Sequence, residues 1–503
     1  MLTDAFVKLR SSRAVQLFRE FVRSPWYLAL IAALMAISEL FSLELPVMYV
    51  FVFFSILVFL FDEDLLGILP IFICHYLSIS AANNLAKSPE TETLFSDPAH
   101  MVQLIMLAAV YGVMILARLV SMLLLSGKKK APELTFGAVF FGIALLMGGA
   151  FSGYWGGRSV LFGLLEIVCI FGIYLVFLYA VNWKTVPKGY GLMHLLTVGV
   201  GLAAEIVGMY FLPNAVRDTY INREALYVGW GIYNNVGAVM CMCVPAPFYF
   251  ALKKKEGWIF SLLGIAFYLA VLIAQSRNAM LFGSVIFAAC VVAVLVRAKG
   301  WERWKHLIVF AGFLVVAGIS VGVFHDRMAI LFRTVTDAGW NDSLRFDTYR
   351  ACWKRFLEAP AFGSGFYHTP GTMVRIDTGE VWTTLDASEI TGFLPPRAHN
   401  TIFQLLASGG IFMFVGYLVH RVQTGFLFYR HPTAEKTFLS FSVIALLLTS
   451  LLDCHFFSFG PALIYSVILA FAEGDNRRRE VSSVFSLREL YQKIKRKGAK
   501  RSE

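Results

Sequence analysis

The sequence predicts an all-α polytopic membrane protein of about fourteen transmembrane helices, with a large, partly helical extracytoplasmic loop before the last three. Three observations predict it. The 503 residues are 58% hydrophobic and only 15% charged, and a mean hydropathy of +0.67 is far too apolar for a water-soluble chain of this size. Apolar runs of about 20 residues, the length that spans a bilayer as a helix, recur from Trp26 onward. Basic clusters fall in alternate connections between those runs, the pattern that orients spans with positive loops inside.

Residues 1–25 form a basic cytoplasmic segment without a short apolar core followed by a small-residue cleavage site. No removable signal peptide is expected, and the first span acts as its own insertion signal. Spans follow at 26–45, 46–61, 65–82, 101–125, 134–151, 159–181, 190–212, 226–251, 258–275, 278–296 and 306–324, giving a membrane domain 26–324 of about eleven spans. Three more, at 401–420, 437–453 and 456–472, make a second membrane portion 401–472. Lys8 to Arg23, Lys128–Lys130, Lys184 with Lys188, Lys253–Lys255, Arg297 to Lys305, Arg421 to Lys436 and the tail after Arg477 then share one side. Both termini are therefore expected in the cytoplasm, and Asp62–Asp64 is the one poorly basic inside loop. The 473–503 tail, with RRRE and KIKRKGAKR, reads as an amphipathic helix drawn to anionic headgroups of the lipid bilayer.

The net charge of +11 does not indicate a nucleic-acid partner, because the Lys and Arg sit where topology needs them. Of seven Cys, five (Cys74, Cys169, Cys241, Cys243 and Cys290) lie in apolar segments as small hydrophobes, and no zinc or redox spacing is present. Cys352 and Cys454 both fall on the outer side, either as free thiols or as a bridge.

The connection 325–400 is an extracytoplasmic cap loop. Connections this long are functional or disordered far more often than incidental, and its Trp, Phe and Tyr content argues for order. Asp342 or Ser343 is placed to cap a helix whose apolar stripe is Leu344, Tyr349, Cys352, Trp353, Phe356 and Leu357, ending at Pro360. Arg345, Arg350, Lys354 and Arg355 form its basic face. A turn at Gly363-Ser364-Gly365 reverses the chain, and 366–396 has no strong periodicity.

Four polar residues far apart in sequence are brought by this topology to the outer face: Arg277, Arg345, His399 and Asp453. Arg is always charged and offers a planar fork for phosphate oxygens, so two of them can stabilise a diphosphate leaving group without a metal. His suits proton abstraction from a sugar hydroxyl, and a carboxylate can orient its ring. Arg217 and Arg223 in the 213–224 loop, Arg350 and Asn400 are the accompanying substrate-binding candidates. Each has a plainer alternative. An Arg at a span end commonly anchors to headgroups, Asn400 beside His399 is placed to cap the next helix, and Asp453 with His455 can be a local surface pair. Glu39, His75, Glu166, His194 and Glu205 lie within spans, where bundle hydrogen bonding explains them as well as a proton path does. His368, Asp377, Glu380, Asp386 and Glu389 are candidates for an acceptor groove. No DxD-like or Asp-rich metal pair is present, and no cofactor is expected.

The stretch QSRNAM at 275–280, the run from Leu344 through RACWKRFLEAPAFGSGF, and AHNTIFQLLASGG at 398–410 resemble the bacterial O-antigen ligase and O-antigen polymerase superfamily. The order of an Arg, a Trp-containing helix, a Pro-x-x-Gly-x-Gly turn, then His-Asn and a Gly-containing span carries the resemblance, which extends from roughly 225 to 472. It implies a C-type glycosyltransferase-like fold in the cytoplasmic membrane. The implied activity is metal-independent transfer of a glycan from an undecaprenyl-diphosphate-linked donor to a glycan or glycolipid acceptor outside. By the same resemblance Arg277 and Arg345 are the diphosphate-binding pair, His399 the catalytic base and Asp453 the accompanying acid. The family commonly has about twelve spans, so the first two here are additions, and 366–396 is this chain's own insert. The acceptor stays open between a second carrier-linked repeat, as in a polymerase of O-antigen or exopolysaccharide, and a different molecule such as a lipopolysaccharide core, as in a ligase. A transporter or flippase of lipid-linked glycans is the alternative from another class. It calls for paired, interrupted spans in two symmetric halves, and no such repeat is present.

Overall fold

The computed structural model describes residues 9, 12–41, 43–62, 64–78, 98–125, 131–153, 155–211, 216–217, 220–221, 226–228, 231–323, 325–326, 344–374, 381–385 and 395–478. The described residues are mostly helical. The helices are α1 Arg13–Val22, α2 Pro25–Leu40, α3 Glu44–Phe61, α4 Ile68–Ser78, α5 Pro98–Leu125, α6 Thr135–Leu146, α7 Gly157–Ile167, α8 Ile173–Ala180, α9 Tyr190–Phe211, α10 Tyr233–Cys243 and α11 Pro245–Lys253. They continue as α12 Gly257–Ile273, α13 Arg277–Arg297, α14 Gly300–Val323, α15 Arg345–Glu358, α16 Thr401–Tyr429, α17 Ala434–Thr449 and α18, 459–478. Six helices or helix pairs are long and apolar enough to cross a membrane, or seven if bent α1–α2 is one span, among the described residues. Five shorter apolar helices accompany them, including α3, α6 and α12. The structure thus shows an all-α polytopic membrane protein.

Local sequence sets the helix boundaries. Ser24 caps α2 ahead of Pro25, Ser276 caps α13 and Thr433 caps α17, each hydroxyl accepting from a first-turn N–H. Between α7 and α8 a wider turn, Val168–Gly172, bulges the helix, and Tyr174 N donates to Ser466 Oγ at 2.7 Å instead of closing within its own helix. The core is aromatic. Phe141 on α6 stacks on His420 of α16 at 6.1 Å and meets Phe171, Tyr417 and Phe456. Helix α6 packs along α16, α9 along α2, and α10 and α13 against α17.

At one end of the bundle lie the charges that the sequence puts inside. Arg23 pairs with Asp62 at 3.1 Å and Asp64 at 3.6 Å, both carboxylates being buried. This explains the one acidic connection in the basic series: its charges are answered by a residue 39 positions earlier. Lys436, also buried, donates to the carbonyl of Leu427 at 2.9 Å at the end of α16. Helix α16 runs nine residues past the expected end at 420 and takes in Arg421, which stacks over Phe456 at 4.1 Å and over Tyr417 and Tyr465 at 4.7 Å. The three rings, not a cytoplasmic loop, receive that cation.

The segment 325–400 is described in part. Helix α15 begins where expected, but Leu344, at φ +61, occupies the N-cap position in place of Asp342 or Ser343. Its buried face is Thr348, Cys352 and Phe356, while Leu344, Trp353 and Leu357, expected in the apolar stripe, are exposed. The helix it packs on is α16, which covers one face of it. A hairpin of β1 Gly371–Val374 and β2 Val381–Thr384 occupies part of 366–396. Cys352 and Cys454 are buried free thiols in one small cluster with Ala398 and Ala407. Asp342, Ser343, Asp377, Glu380, Asp386, Glu389, Lys128–Lys130 and the tail beyond 478 lie outside the described residues.

The turn after α15 is seated in a break in α16. Gly410 has φ +64 and ψ −160, which frees two N–H and two C=O groups of the helix. Ile411 N donates to Pro360 O and Phe412 N to Ala361 O, while Ser364 N and Gly365 N donate to Ala407 O and Ser408 O, all at 2.8–3.1 Å. Every freed group is satisfied. A Cβ on Gly410 would lie 2.5 Å from Pro360 O, and one on Gly363 (φ +67) 2.4 Å from Gly409 N. Gly410→Ala or Gly363→Ala is therefore expected to destabilise by at least ~2 kcal/mol. The check is the apparent melting temperature in detergent, with Gly425→Ala, where a Cβ meets nothing within 4 Å, unchanged.

Candidate active site

The end of the bundle away from Lys436 gathers residues from four segments: the N-terminus of α13, α15, the turn 397–400 before α16, and the 451–458 connection before α18. His399 lies in the left-handed region, φ +54, and three contacts hold it there. Tyr349 of α15 donates to its carbonyl at 2.9 Å, with the Tyr349 ring stacked on Phe403 at 4.8 Å. Asn400 caps α16, accepting from Ile402 N and Phe403 N at 2.8 and 3.1 Å and donating to Leu451 O at 2.7 Å. Ala398 N donates to Gln404 Oε1 at 2.8 Å. Burial pushes the Tyr349 hydroxyl up to about 12, so it remains an O–H donor.

His399 Nδ1 stands 3.3 Å from Asp453 Oδ1, within ion-pair reach but off the axis of a hydrogen bond. Asp453 Oδ1 also accepts from Cys454 N at 2.7 Å, and its Oδ2 lies 3.9 Å from His455 Nε2. Burial opposes the Asp453 charge, but His455, His399 and Arg345 outweigh it and hold the carboxyl well below the usual range. Arg345, the first residue of α15, is thereby brought into the same cluster. No hydrogen bond engages His399 Nε2 among the described residues. An imidazole with a carboxylate behind Nδ1 and an open Nε2 is arranged to take a proton at Nε2.

His455 is buried, bonded to Asn235 Oδ1 at 3.1 Å and Asn278 Nδ2 at 3.3 Å, so the surface-pair alternative does not describe it. Burial pushes its pKa down to about 4. Between pH 4 and 6.5 the unfolded chain then binds the extra proton, so stability rises with pH across that window. Asp453, with a depressed pKa, loses its contribution only below the unfolded carboxylate value near 3.9. His455→Asn should remove up to about 3 kcal/mol of the stability difference between pH 7 and 4.5, read from apparent melting temperatures of both proteins at the two pH values.

Arg277 opens α13 between Ser276, whose Oγ donates to Asn234 Oδ1 at 2.8 Å, and Asn278, which reaches His455 and Thr449 O. Its backbone therefore lies one residue from the His455 contact. Of the five non-glycine residues with positive φ among the described residues, three are Gln275, Leu344 and His399, at or within two residues of Arg277, Arg345 and the histidine itself. Such conformations cost about 1–3 kcal/mol each and gather at functional sites.

The accompanying candidates are placed less centrally. Arg350 is 81% exposed and pairs with Asp347 at 3.0 Å. Asn400 has its amide engaged in capping. Arg217 lies in a two-residue strand, Val216–Arg217, its side chain outside the description, and Arg223 is outside the described residues. Sequence reasoning missed Arg397, Asn278 and Tyr349. Arg397 and Asn278 stand beside residues already singled out, and Tyr349 was read only as part of an apolar stripe.

The family model described as O-antigen ligase matches residues 259–418, a stretch that contains Arg277, Arg345 and His399 but stops short of Asp453. No curated protein matches the chain. Over residues 259–418, then, the chain is similar to the O-antigen ligase family.

Proposed function

We propose that the protein transfers a glycan from an undecaprenyl-diphosphate carrier to an acceptor sugar hydroxyl at the outer face of the cytoplasmic membrane, without a metal. The observation that carries the reading is His399, braced between Asp453 and Tyr349 with Nε2 unengaged and the Arg345 charge in the same cluster. The acceptor hydroxyl gives its proton to Nε2 as its oxygen bonds to the anomeric carbon. The bond from that carbon to the diphosphate oxygen breaks, and the electron pair leaves with the carrier. Asp453 stabilises the imidazolium, and Arg277 with Arg345 stabilise the charge gained by the leaving diphosphate. The proton then passes from His399 to water.

Polymerisation is the favoured form of the reaction, with ligation nearly level. A carrier-linked acceptor that yields a ladder of repeats means a polymerase; a single transfer to a different molecule means a ligase. The sidedness is tested by cysteine labelling in intact cells, for which the seven native Cys, all buried, leave a low background. Positions 325, 326 and 344 should react with an impermeant maleimide, and 128–130 and 253–255 should not. Labelling of the basic triplets in intact cells would overturn the outer-face site.

A further inference from the structure

We propose that Gln404 is the positioning residue of the catalytic pair: its amide ties the residue before His399 to the residue after Asp453 and locks both to the cap turn. The proposal rests on the transfer reading of the site. Gln404 lies near the start of α16 and is buried. Its Oε1 accepts from Ala398 N at 2.8 Å and from Cys454 Sγ at 3.6 Å. Ala398 and Cys454 are themselves fully buried, in the small cluster that also holds Cys352 and Ala407. The amide has one orientation, because a backbone N–H only donates and Oε1 must face it.

The other end of the amide reaches the cap. Nε2 donates to Ser408 Oγ at 3.0 Å, one turn further along α16. Ser408 Oγ meets Thr369 Oγ1 at 2.7 Å, and Thr369 Oγ1 donates to Gly365 O at 3.1 Å. Since the Thr369 proton is engaged there, Ser408 is the donor between the two hydroxyls. The chain of donors then runs in one direction, from Gln404 through Ser408 and Thr369 to Gly365. Gln404, Ser408 and Thr369 are all buried, so removing one member leaves its neighbours unsatisfied away from water. Gly365 belongs to the turn seated in the break of α16, where its N donates to Ser408 O at 2.8 Å.

The consequence falls on the approach of His399 to Asp453, 3.3 Å between side chains from segments far apart in sequence. Asn400 and Thr401 also bridge these segments, through Leu451 O at 2.7 Å, Ser450 O at 3.0 Å and Asp453 O at 3.5 Å. Those bonds lie at or before Asp453. Gln404 holds the far side, at Cys454, whose N donates to Asp453 Oδ1 at 2.7 Å. Without the amide, Ala398 N–H is buried with its acceptor gone, Cys454 loses its contact, and the ring and the carboxylate lose their common support. A misplacement of about 1 Å between reacting groups can lower a rate by about 10².

The test is a double-mutant cycle on kcat in the full-length purified protein. Gln404→Met, which keeps the volume and removes the amide, should lower kcat by about 10- to 100-fold with the donor KM within about twofold. On an Asp453→Asn background the same substitution should lower kcat by no more than about threefold further, because the pair it aligns is already broken. Gln404→Glu keeps an oxygen for Ala398 N and loses the donor to Ser408; it should fall between, and it replaces the Met variant if that does not fold. Gln423→Met is the structural control. It removes a comparable bond from the same helix, Gly137 N to Gln423 Oε1 at 2.6 Å, and should leave kcat within about twofold. Equal losses with and without the Asp453 carboxylate, or a loss in Gln423→Met matching that in Gln404→Met, would make Gln404 a packing residue and overturn the proposal. A readout that needs no transfer is carbethoxylation of His399 by diethyl pyrocarbonate, followed by mass spectrometry against exposed His431 in the same sample. Gln404→Met should raise the His399 rate by about threefold or more as the loosened turn opens to solvent, and an unchanged rate overturns the positioning. A raised rate in a protein whose wild type transfers no glycan would leave the positioning standing and remove the transfer reading instead.

Discussion

His399→Ala is expected to lower glycan transfer by about 10²–10⁴ and to leave binding of the lipid-linked donor within about threefold. A sugar hydroxyl is hardly ionised at neutral pH, so the attacking oxygen needs a base in the transition state, and a positioned base contributes about that factor. Donor binding is expected to survive because, in the proposed reaction, His399 acts on the acceptor hydroxyl and the arginines on the diphosphate. His399→Gln should be no better, since an amide keeps the hydrogen bonding and cannot take the proton. His431→Ala, exposed beyond the other end of α16, serves as the control and should match wild type. His455 is unsuitable for that purpose because it is buried against Asp453 and Asn278.

Arg277→Lys and Arg345→Lys are each expected to lower kcat by about 10². The substitution keeps the charge and replaces a fixed fork with a single ammonium, so it isolates geometry from electrostatics. The loss should appear mainly in kcat, because the leaving diphosphate gains charge as the glycosidic bond breaks and the fork matters most at that point. Arg350→Lys is expected within about twofold of wild type, since an exposed guanidinium paired with Asp347 on its own helix contributes little. Full activity in both Lys variants would leave charge stabilisation by the pair without support, and inhibition of wild type by a chelator would point to a metal.

The helices were legible because a membrane chain must satisfy its backbone within each apolar run, so the runs themselves give the elements. What was not legible depended on partners distant in sequence. Asp62 and Asp64 looked like an exception to the basic series until Arg23 was seen to face them. Arg421 counted as a loop cation because nothing in its neighbourhood announces the Phe456 and Tyr465 rings that receive it. The stripe on α15 was drawn from periodicity, which says that one face is apolar but not how wide the covering surface is, and Trp353 and Leu357 fell outside the strip covered by α16.

The candidate site was legible to a similar extent. Arg277, Arg345, His399 and Asp453 were drawn to one face by topology, and the structure places the His399 ring against Asp453 within the reach of Arg345. The left-handed turns at Gln275, Leu344 and His399 had no sequence signal, because none is a glycine. Arg397, two residues before His399, reads in sequence as one more basic residue of a Pro-rich approach; only its hydrogen bond to Ser458 Oγ, at 2.7 Å, distinguishes it.

The most direct measurement places purified wild-type protein in sealed vesicles with undecaprenyl-diphosphate-linked glycan and an acceptor, and follows carrier diphosphate and glycan together. Catalysis by the His399 site predicts one undecaprenyl diphosphate released for each new glycosidic bond, insensitive to chelator and lost in His399→Ala. Movement of intact lipid-linked glycan across the vesicle wall, with no diphosphate released with any acceptor, would contradict it and make the protein a transporter.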